Sequence, residues 1–470
     1  MDRLATVRAP LEASRSRPVA NRTRLLLEAP VASTLLRLAA PNVVVMLLQA
    51  MVSTLDGVFV GWLGAPALAG VSLVFPLLML MQTMSAGGMG GGVASAVARA
   101  LGAGRRRDAD ALVWHALLIA LGMTALFSAS FLWAGPGLYR AMGGRGESLA
   151  LALAYSNVIF GGAAAYWLFN TLGSVVRGAG NMILPASVMS GSTLVYLALS
   201  PALIMGWGPL PKLGVAGAAT ASVTSFSLGS LVLLAHLVSG RSLVKLSLRW
   251  PRLRLRLFWE ILRVGAPGSL NTVMTNLTIV LVTGLVGPFG ASALAGYGMG
   301  ARLEYLQIPL VFGLGSALVT MVGTNVGAGQ VARAERVAWV GAGIAALVTG
   351  SVGLLGALFP HVWLGLFSAD PDVLAAGATY LRVVGPVYGF FGLGLALYFA
   401  SQGAGRLLWP LLGGFVRLLI AALGGWLAGH WLGWGLPGVF AAMALALLAF
   451  GATVSLAVKL GAWRAEGRRH

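Results

Sequence analysis

The chain has 470 residues, 58% of them hydrophobic and 10% charged, with a mean hydropathy of +0.86. So little polar surface cannot cover a soluble core of this size, and uncharged runs of bilayer length recur throughout, so the chain reads as an all-α polytopic membrane protein. A net charge of +19 would suit a nucleic-acid binder if it were spread over one surface, but its placement in loops argues against that partner, and the absence of cysteine leaves the redox compartment open.

Residues 1–33 form a basic tail with Arg3, Arg8, Arg15, Arg17, Arg22 and Arg24 and no apolar h-region. It is expected to be an unstructured cytoplasmic extension and not a cleaved signal. Twelve spans follow, at about 34–60, 66–95, 110–135, 149–175, 183–207, 214–239, 259–287, 291–323, 334–359, 373–401, 407–431 and 436–461. The first carries one isolated acid, Asp56. Placing it in a spanning helix costs about 2.5–3.5 kcal/mol. Gln49, Ser53 and Asp56 fall at i, i+4 and i+7, a polar stripe that should face the bundle interior, and Pro41 lies in the same helix as a candidate hinge. The carboxylate can either bond a neighbouring helix as packing glue or take up an ion.

The second span holds Met79, Met81, Met84 and Met89, thioethers that suit either a pocket for varied apolar shapes or ordinary packing. Its GGMGGG run at 87–92 reads as a helix weakened by glycine. Residues 240–258 form a basic linker whose Arg252-Leu-Arg254-Leu-Arg256 stretch is expected at the anionic headgroups. The seventh span carries Asn271, Thr275 and Thr278 at helical spacing, which can contact substrate or bond across helices. Glu304, in the eighth, stands beside Arg302 but cannot face it on a helix; Arg382 and Arg417 are possible partners. Tyr388, Phe390, Phe391 and Tyr398 mark the tenth span, where aromatic rings could stack on cations. Residues 462–470 are a short tail.

Of the 32 Lys and Arg, 26 fall on the side of the two termini, three on the opposite side and three within spans. This places both termini in the cytoplasm. The chain is also a repeat. LRLAAP at 36–41 returns as LRVGAP at 262–267, LGAPALAG at 63–70 as FGASALAG at 289–296, GAG at 102–104 as GAG at 327–329, and RGAG at 177–180 as QGAG at 402–405. The offset is 226 residues, then 225. An even number of spans per copy makes the copies parallel, related by an axis along the membrane normal, so lobes 34–239 and 259–461 can rock about a central cleft. The acids break the repeat: Glu304 corresponds to Leu78 and Asp56 to Val282.

With LAAP, the Asp-Gly-x-x-x-Gly pattern at 56–61, LGAPALAG, the doubled GAG turns, RGAG and GVAGAATA at 214–221, the chain resembles the multidrug and toxic compound extrusion (MATE) family, in its DinF-like branch, over about residues 34–461. The resemblance implies a twelve-helix, two-lobed antiporter of a bacterial inner membrane. It would expel cationic or amphipathic compounds in exchange for protons or sodium, with no cofactor and no metal, as a monomer in the lipid bilayer. The family's bent first helix has a proline and an aspartate that match Pro41 and Asp56. Where related members place an Asn, an Asp and a Thr around that aspartate, this chain has Tyr196, Ser200 and Ser222. One carboxylate of two remains, which favours a proton over sodium as the coupling ion. The expected substrate cleft takes Asn271, Thr275, Thr278, Glu304, Met79 and Tyr388. A lipid-linked oligosaccharide flippase of the same superfamily is the nearest alternative reading, and a receptor or scaffold one of another class. No HExxH, Walker A or GxSxG motif suggests an enzyme.

Overall fold

The structure, a computed structural model, describes residues 23–247 and 252–464; for residues 50–54, 56 and 57 it describes the backbone alone. The expectations for the Ser53 and Asp56 side chains, and for residues 1–22, lie outside the described residues. The described residues are mostly helical. The spanning elements are α1 (Val31–Gly61), α2 (Ala65–Gly102), α3 (Arg106–Ala141), α4, α5 (Ile183–Met205), α6 (Val215–Val238), α7 (Leu255–Val286), α8 (Ala291–Gly327), α9 (Val331–Leu358), α10 (Pro371–Ala404), α11 (Leu408–Trp431) and α12 (Gly435–Lys459). The fourth is a pair, Gly146–Gly161 and Ala163–Gly178, bent by 44°. These elements follow the expected apolar runs, with α2 and α8 continuing past them to Gly102 and Gly327.

The duplication is visible in the backbone. Gly64 and Gly290 introduce α2 and α8 with φ of 95° and 105°, Gly104 and Gly329 follow the same helices at 71° and 77°, and Gly180 and Gly405 follow α4 and α10 at 82° and 76°. Left-handed backbone is readily adopted by glycine alone, so both copies keep the residue because they keep the turn. One apolar core fills the first lobe around Trp167, Tyr166 and Phe160, and another fills the second around Tyr380, Tyr388 and Phe440. A third core, with Leu35, Ala94, Leu318, Phe399 and Trp463, joins them.

The lobes are locked together at the end that carries the basic loops. Ser95 Oγ donates to the carbonyls of Gln402 at 2.5 Å and Gly403 at 3.0 Å, and Arg99, itself buried, donates to the Gly403 carbonyl at 3.2 Å. Thr320 Oγ1 donates to the Arg177 carbonyl at 3.0 Å. Gly102 lies against the Thr324 carbonyl and Gly327 against the Arg99 carbonyl, so closely that neither has room for a Cβ. The GGMGGG run belongs to the same crossing. It begins in a π turn over Met84–Met89. A methyl on Gly88 would come within 2.8 Å of the Ser269 backbone, and one on Gly92 within 2.7 Å of the Gly265 backbone. The glycines are there for close approach to α7 and not as a weakness.

One expectation is corrected at this end. Residues 23–28 are helical, and Leu26 is buried. Asn325 Nδ2 donates to its carbonyl at 3.1 Å, and Arg333 donates to the Ala29 carbonyl at 2.5 Å. The part of the basic tail next to α1 is therefore docked and not unstructured. In the linker, Arg254 and Arg256 reach Asp108 at 3.3 and 2.7 Å, and the Arg254 amide donates to His115 Nε2 at 3.0 Å. These guanidiniums pair with a carboxylate on α3, because α3 begins with acids where the linker crosses it.

Candidate functional site

Each lobe contains a cavity, and the two occupy equivalent places in the repeat. The first-lobe cavity, about 1200 Å³ measured to its open mouth, is bounded by α1, α2, α4, α5 and α6, with Pro309 of α8 at its edge. The second-lobe cavity, about 600 Å³ measured in the same way to its open mouth, is bounded by α7, α8, α10, α11 and α12. Residues related by the repeat face the two cavities in pairs: Gln49 and Thr275, Leu78 and Glu304, Met79 and Tyr305, Ser192 and Arg417, Tyr196 and Ala421, Ser222 and Leu447. A common scaffold thus carries two different polar sets.

In the first lobe the set is amide and hydroxyl. Gln49 is half-buried, with Nε2 3.7 Å from Met189 Sδ. Ser222 Oγ and Tyr166 OH share a hydrogen bond of 2.7 Å, and Tyr196 and Gln82 also face the cavity. Asp56 lies seven residues beyond Gln49 on the same helix. The expected coupling group is therefore partly assembled: Gln49, Tyr196 and Ser222 share one cavity. Ser200 does not join them. It is fully buried on α5, away from the cavity wall, and its hydroxyl has no partner among the described residues. Met79, expected at a substrate cleft with second-lobe residues, faces this first-lobe cavity.

In the second lobe the set is ionic. Glu304 accepts from Tyr380 OH at 3.0 Å, and Tyr388 OH donates to Tyr380 OH at 3.3 Å. Arg417 faces the same cavity, donates to Thr275 Oγ1 at 2.7 Å and sits 5.2 Å over the Phe450 ring. Arg417 is thus the basic group that shares the Glu304 cavity. Arg302 lies 5.3 Å over the Phe367 ring, and Arg382 is exposed. Thr275 and Thr278 also face the cavity, and their hydroxyls donate to their own helix, at 2.9 Å to the Asn271 carbonyl and 2.8 Å to the Met274 carbonyl, while Thr275 Oγ1 also accepts from Arg417 across helices. Asn271 is buried against Gly414, and Tyr388 lies behind Tyr380; neither faces the cavity. The six residues expected at one cleft are therefore divided among two cavities and the second-lobe core. Sequence reasoning missed Tyr380 and left Arg417 as one option of two. The offset of 225 residues that pairs Arg417 with Ser192 was the available signal.

Comparison with known proteins agrees with this architecture. The MatE family model matches residues 41–202 and 267–427, one block in each lobe. The chain is 28% identical over 416 residues to the FAD transporter of Shewanella oneidensis, covering 86% of this chain and 90% of that protein. It is 30% identical over 423 residues to the probable multidrug resistance protein NorM of Deinococcus radiodurans, covering 85% and 89%. Its fold matches a crystal structure of MATE in the bent conformation with a TM-score of 0.87 at 25% identity, covering 94% of this chain and 98% of that one.

Proposed function

Because this chain belongs to the MatE family, we propose that it is a secondary active exporter of amphipathic small molecules, cationic drugs among them, and that protons entering through Asp56 drive it. Relatives named as multidrug resistance proteins support the efflux reading. The observation that carries the choice of ion is the first-lobe cavity. Its described lining offers amides from Gln49 and Gln82 and hydroxyls from Tyr155, Ser192, Thr193, Tyr196, Ser222 and Ser225, and no carboxylate. Sodium is held by several hard oxygens, charged ones foremost. A proton needs one titratable group, and the neighbouring amide and hydroxyls can bond that group in either protonation state. Transport then requires the basic end, closed by the Ser95 and Arg99 bonds, to open as the opposite end closes. The basic loops support a cytoplasmic placement of that end, with both termini, in a bacterial cell.

The test is transport of a fluorescent drug by proteoliposomes, with a proton or a sodium gradient imposed alone. A proton gradient should suffice, and Asp56→Asn should abolish gradient-driven accumulation while leaving expression near normal. Transport that follows sodium at constant pH, or a fully active Asp56→Asn variant, would overturn the assignment.

A further inference from the structure

We propose that residues 23–30 form a strap that holds the basic end shut, and that this strap must let go of the second lobe before that end opens. The hold stands on contacts; its part in transport rests on the efflux reading. Residues 23–28 are a helix of six residues, far below the roughly 12–15 at which a helix is even marginally stable alone. Its neighbours complete it. The carbonyls at the end of a helix have no partner within it. Here Asn325 Nδ2 donates to the Leu26 carbonyl at 3.1 Å and Arg333 Nη2 to the Ala29 carbonyl at 2.5 Å. Both donors belong to the second lobe, on α8 and α9. The strap itself runs through Pro30 into α1, the first helix of the first lobe. Leu26 is buried in the core that joins the lobes, and its Cδ1 would lie 3.2 Å from a methyl on Gly180 of the first lobe. Separating the lobes at this end therefore pulls on the strap.

The repeat makes this contact one of a pair. At an offset of 225 residues Arg333 corresponds to Asp108, and each is the third residue of its helix, α9 and α3. Asp108 receives Arg254 and Arg256, at the entry to α7. Arg333 receives Ala29, at the entry to α1. Each lobe thus holds the chain that enters the first helix of the other. The chemistry differs between the copies. A carboxylate suits the positive end of a helix, and a guanidinium does not. Arg333 stands at that unfavourable end, where the Ala29 carbonyl needs a donor.

The two holds are not equally firm. The linker is tied to α3 by the Asp108 ion pairs, by the Lys245 amide to Asp110 Oδ1 at 2.7 Å, by Trp114 Nε1 to the Ser247 carbonyl at 2.8 Å and by the Arg254 amide to His115 Nε2 at 3.0 Å. Among the described residues, 23–30 make two hydrogen bonds to the second lobe, both through uncharged carbonyls. Leu25, Leu26, Ala29 and Pro30 also line an open groove with Arg37, Leu38 and Gly180, so that side of the strap is not fully packed. The linker is therefore the fixed support, and residues 23–30 are the joint that opens and recloses.

Because the native chain has no cysteine, introduced thiols can be labelled alone. Spin labels on Glu28→Cys and Arg336→Cys, both exposed positions, report the strap. Labels on Arg107→Cys and Arg336→Cys report the separation of the lobes at the basic end. Distances are read by pulsed electron paramagnetic resonance on the full chain in nanodiscs. The double change Leu26→Ser and Arg333→Gln should enlarge the population with a long strap distance about fivefold or more, and the lobe distance should lengthen in step. Arg333→Lys keeps a donor and should stay docked, which separates release from misfolding. Asp108→Asn should leave the lobe distance as it is. An unchanged strap distance, release without movement of the lobes, or equal opening by Asp108→Asn would overturn the proposal. Proteoliposome transport then tests whether release is required. Joining the thiols of Glu28→Cys and Arg336→Cys with a reducible cross-linker should stop gradient-driven drug efflux, and reduction should restore it. Efflux at the native rate by the cross-linked protein would overturn a required release. No efflux under any gradient before cross-linking would sink the efflux reading, while the distances still decide the strap.

Discussion

At the scale of single residues, the duplicated cavities show how one scaffold acquires two chemistries. The repeat sets Leu78 against Glu304 and Ser192 against Arg417, so the second lobe carries opposite charges where the first has an apolar and a hydroxyl group. Neither charge is self-sufficient in an apolar wall. Glu304 has the Tyr380 hydroxyl, and Arg417 has Thr275 and the Phe450 ring. Removing one charge leaves the other buried with less compensation. Glu304→Gln and Arg417→Gln should each lower thermal stability, and the double variant should lose less than the sum of the two. The expected interaction energy is about 0.5–3 kcal/mol, read from a double-mutant cycle in detergent. Strict additivity would mean that the two charges share a cavity without interacting. The acids and Thr275 were legible in the sequence, because an isolated charge in a long apolar run is conspicuous. Tyr380 was not, because one tyrosine in an aromatic-rich span has no local signal, and its importance comes from where α10 meets α8.

At the scale of elements, the first helix is the informative case. Pro41 lies inside α1, which continues as helix on both sides of it. Proline deletes one backbone hydrogen bond and crowds the preceding turn, so the helix keeps a weak point without being broken. The next residue, Asn42, donates to Ser316 Oγ of α8 at 2.6 Å, tying that weak point to the opposite lobe. If α1 bends there during the cycle, Pro41→Ala should slow turnover severalfold and leave substrate affinity nearly unchanged. Stopped-flow efflux alongside equilibrium binding checks this, and unchanged kinetics would refute a required bend. The π turn in α2 and the break between the halves of α4 are elements of the same kind that composition did not reveal. GGMGGG announced an irregularity, but only the neighbours explain it: each glycine of the run that faces α7 or α10 meets that helix at contact distance.

At the scale of the whole molecule, the lobes meet most tightly at the basic end. Gly102 on α2 and Gly327 on α8 are equivalent in the repeat, and each touches the other lobe's backbone with no space for a methyl group. Gly327→Ala should therefore destabilise this closed arrangement by roughly 1–3 kcal/mol, the usual scale of overpacking. It should shift the population toward a conformation open at the basic end. Because the native chain has no cysteine, a single thiol introduced as Ser174→Cys reports on this directly. In inside-out vesicles its labelling by a membrane-impermeant maleimide should rise at least fivefold with Gly327→Ala. Equal labelling would show that the contact does not control the gate. The sequence by itself determined the class, the twelve spans, the duplication and the isolated acids, since each is written in hydropathy, in charge spacing or in motifs that recur at a constant offset, all of which are one-dimensional. Tertiary structure alone decided which of those residues share a space. It separated Met79 from Thr275 and Glu304, withdrew Ser200 from the first-lobe cavity and docked the helix at 23–28. Those outcomes depend on where helices distant in sequence cross, and backbone approach at glycine faces sets the crossings, which no pattern along a single helix encodes.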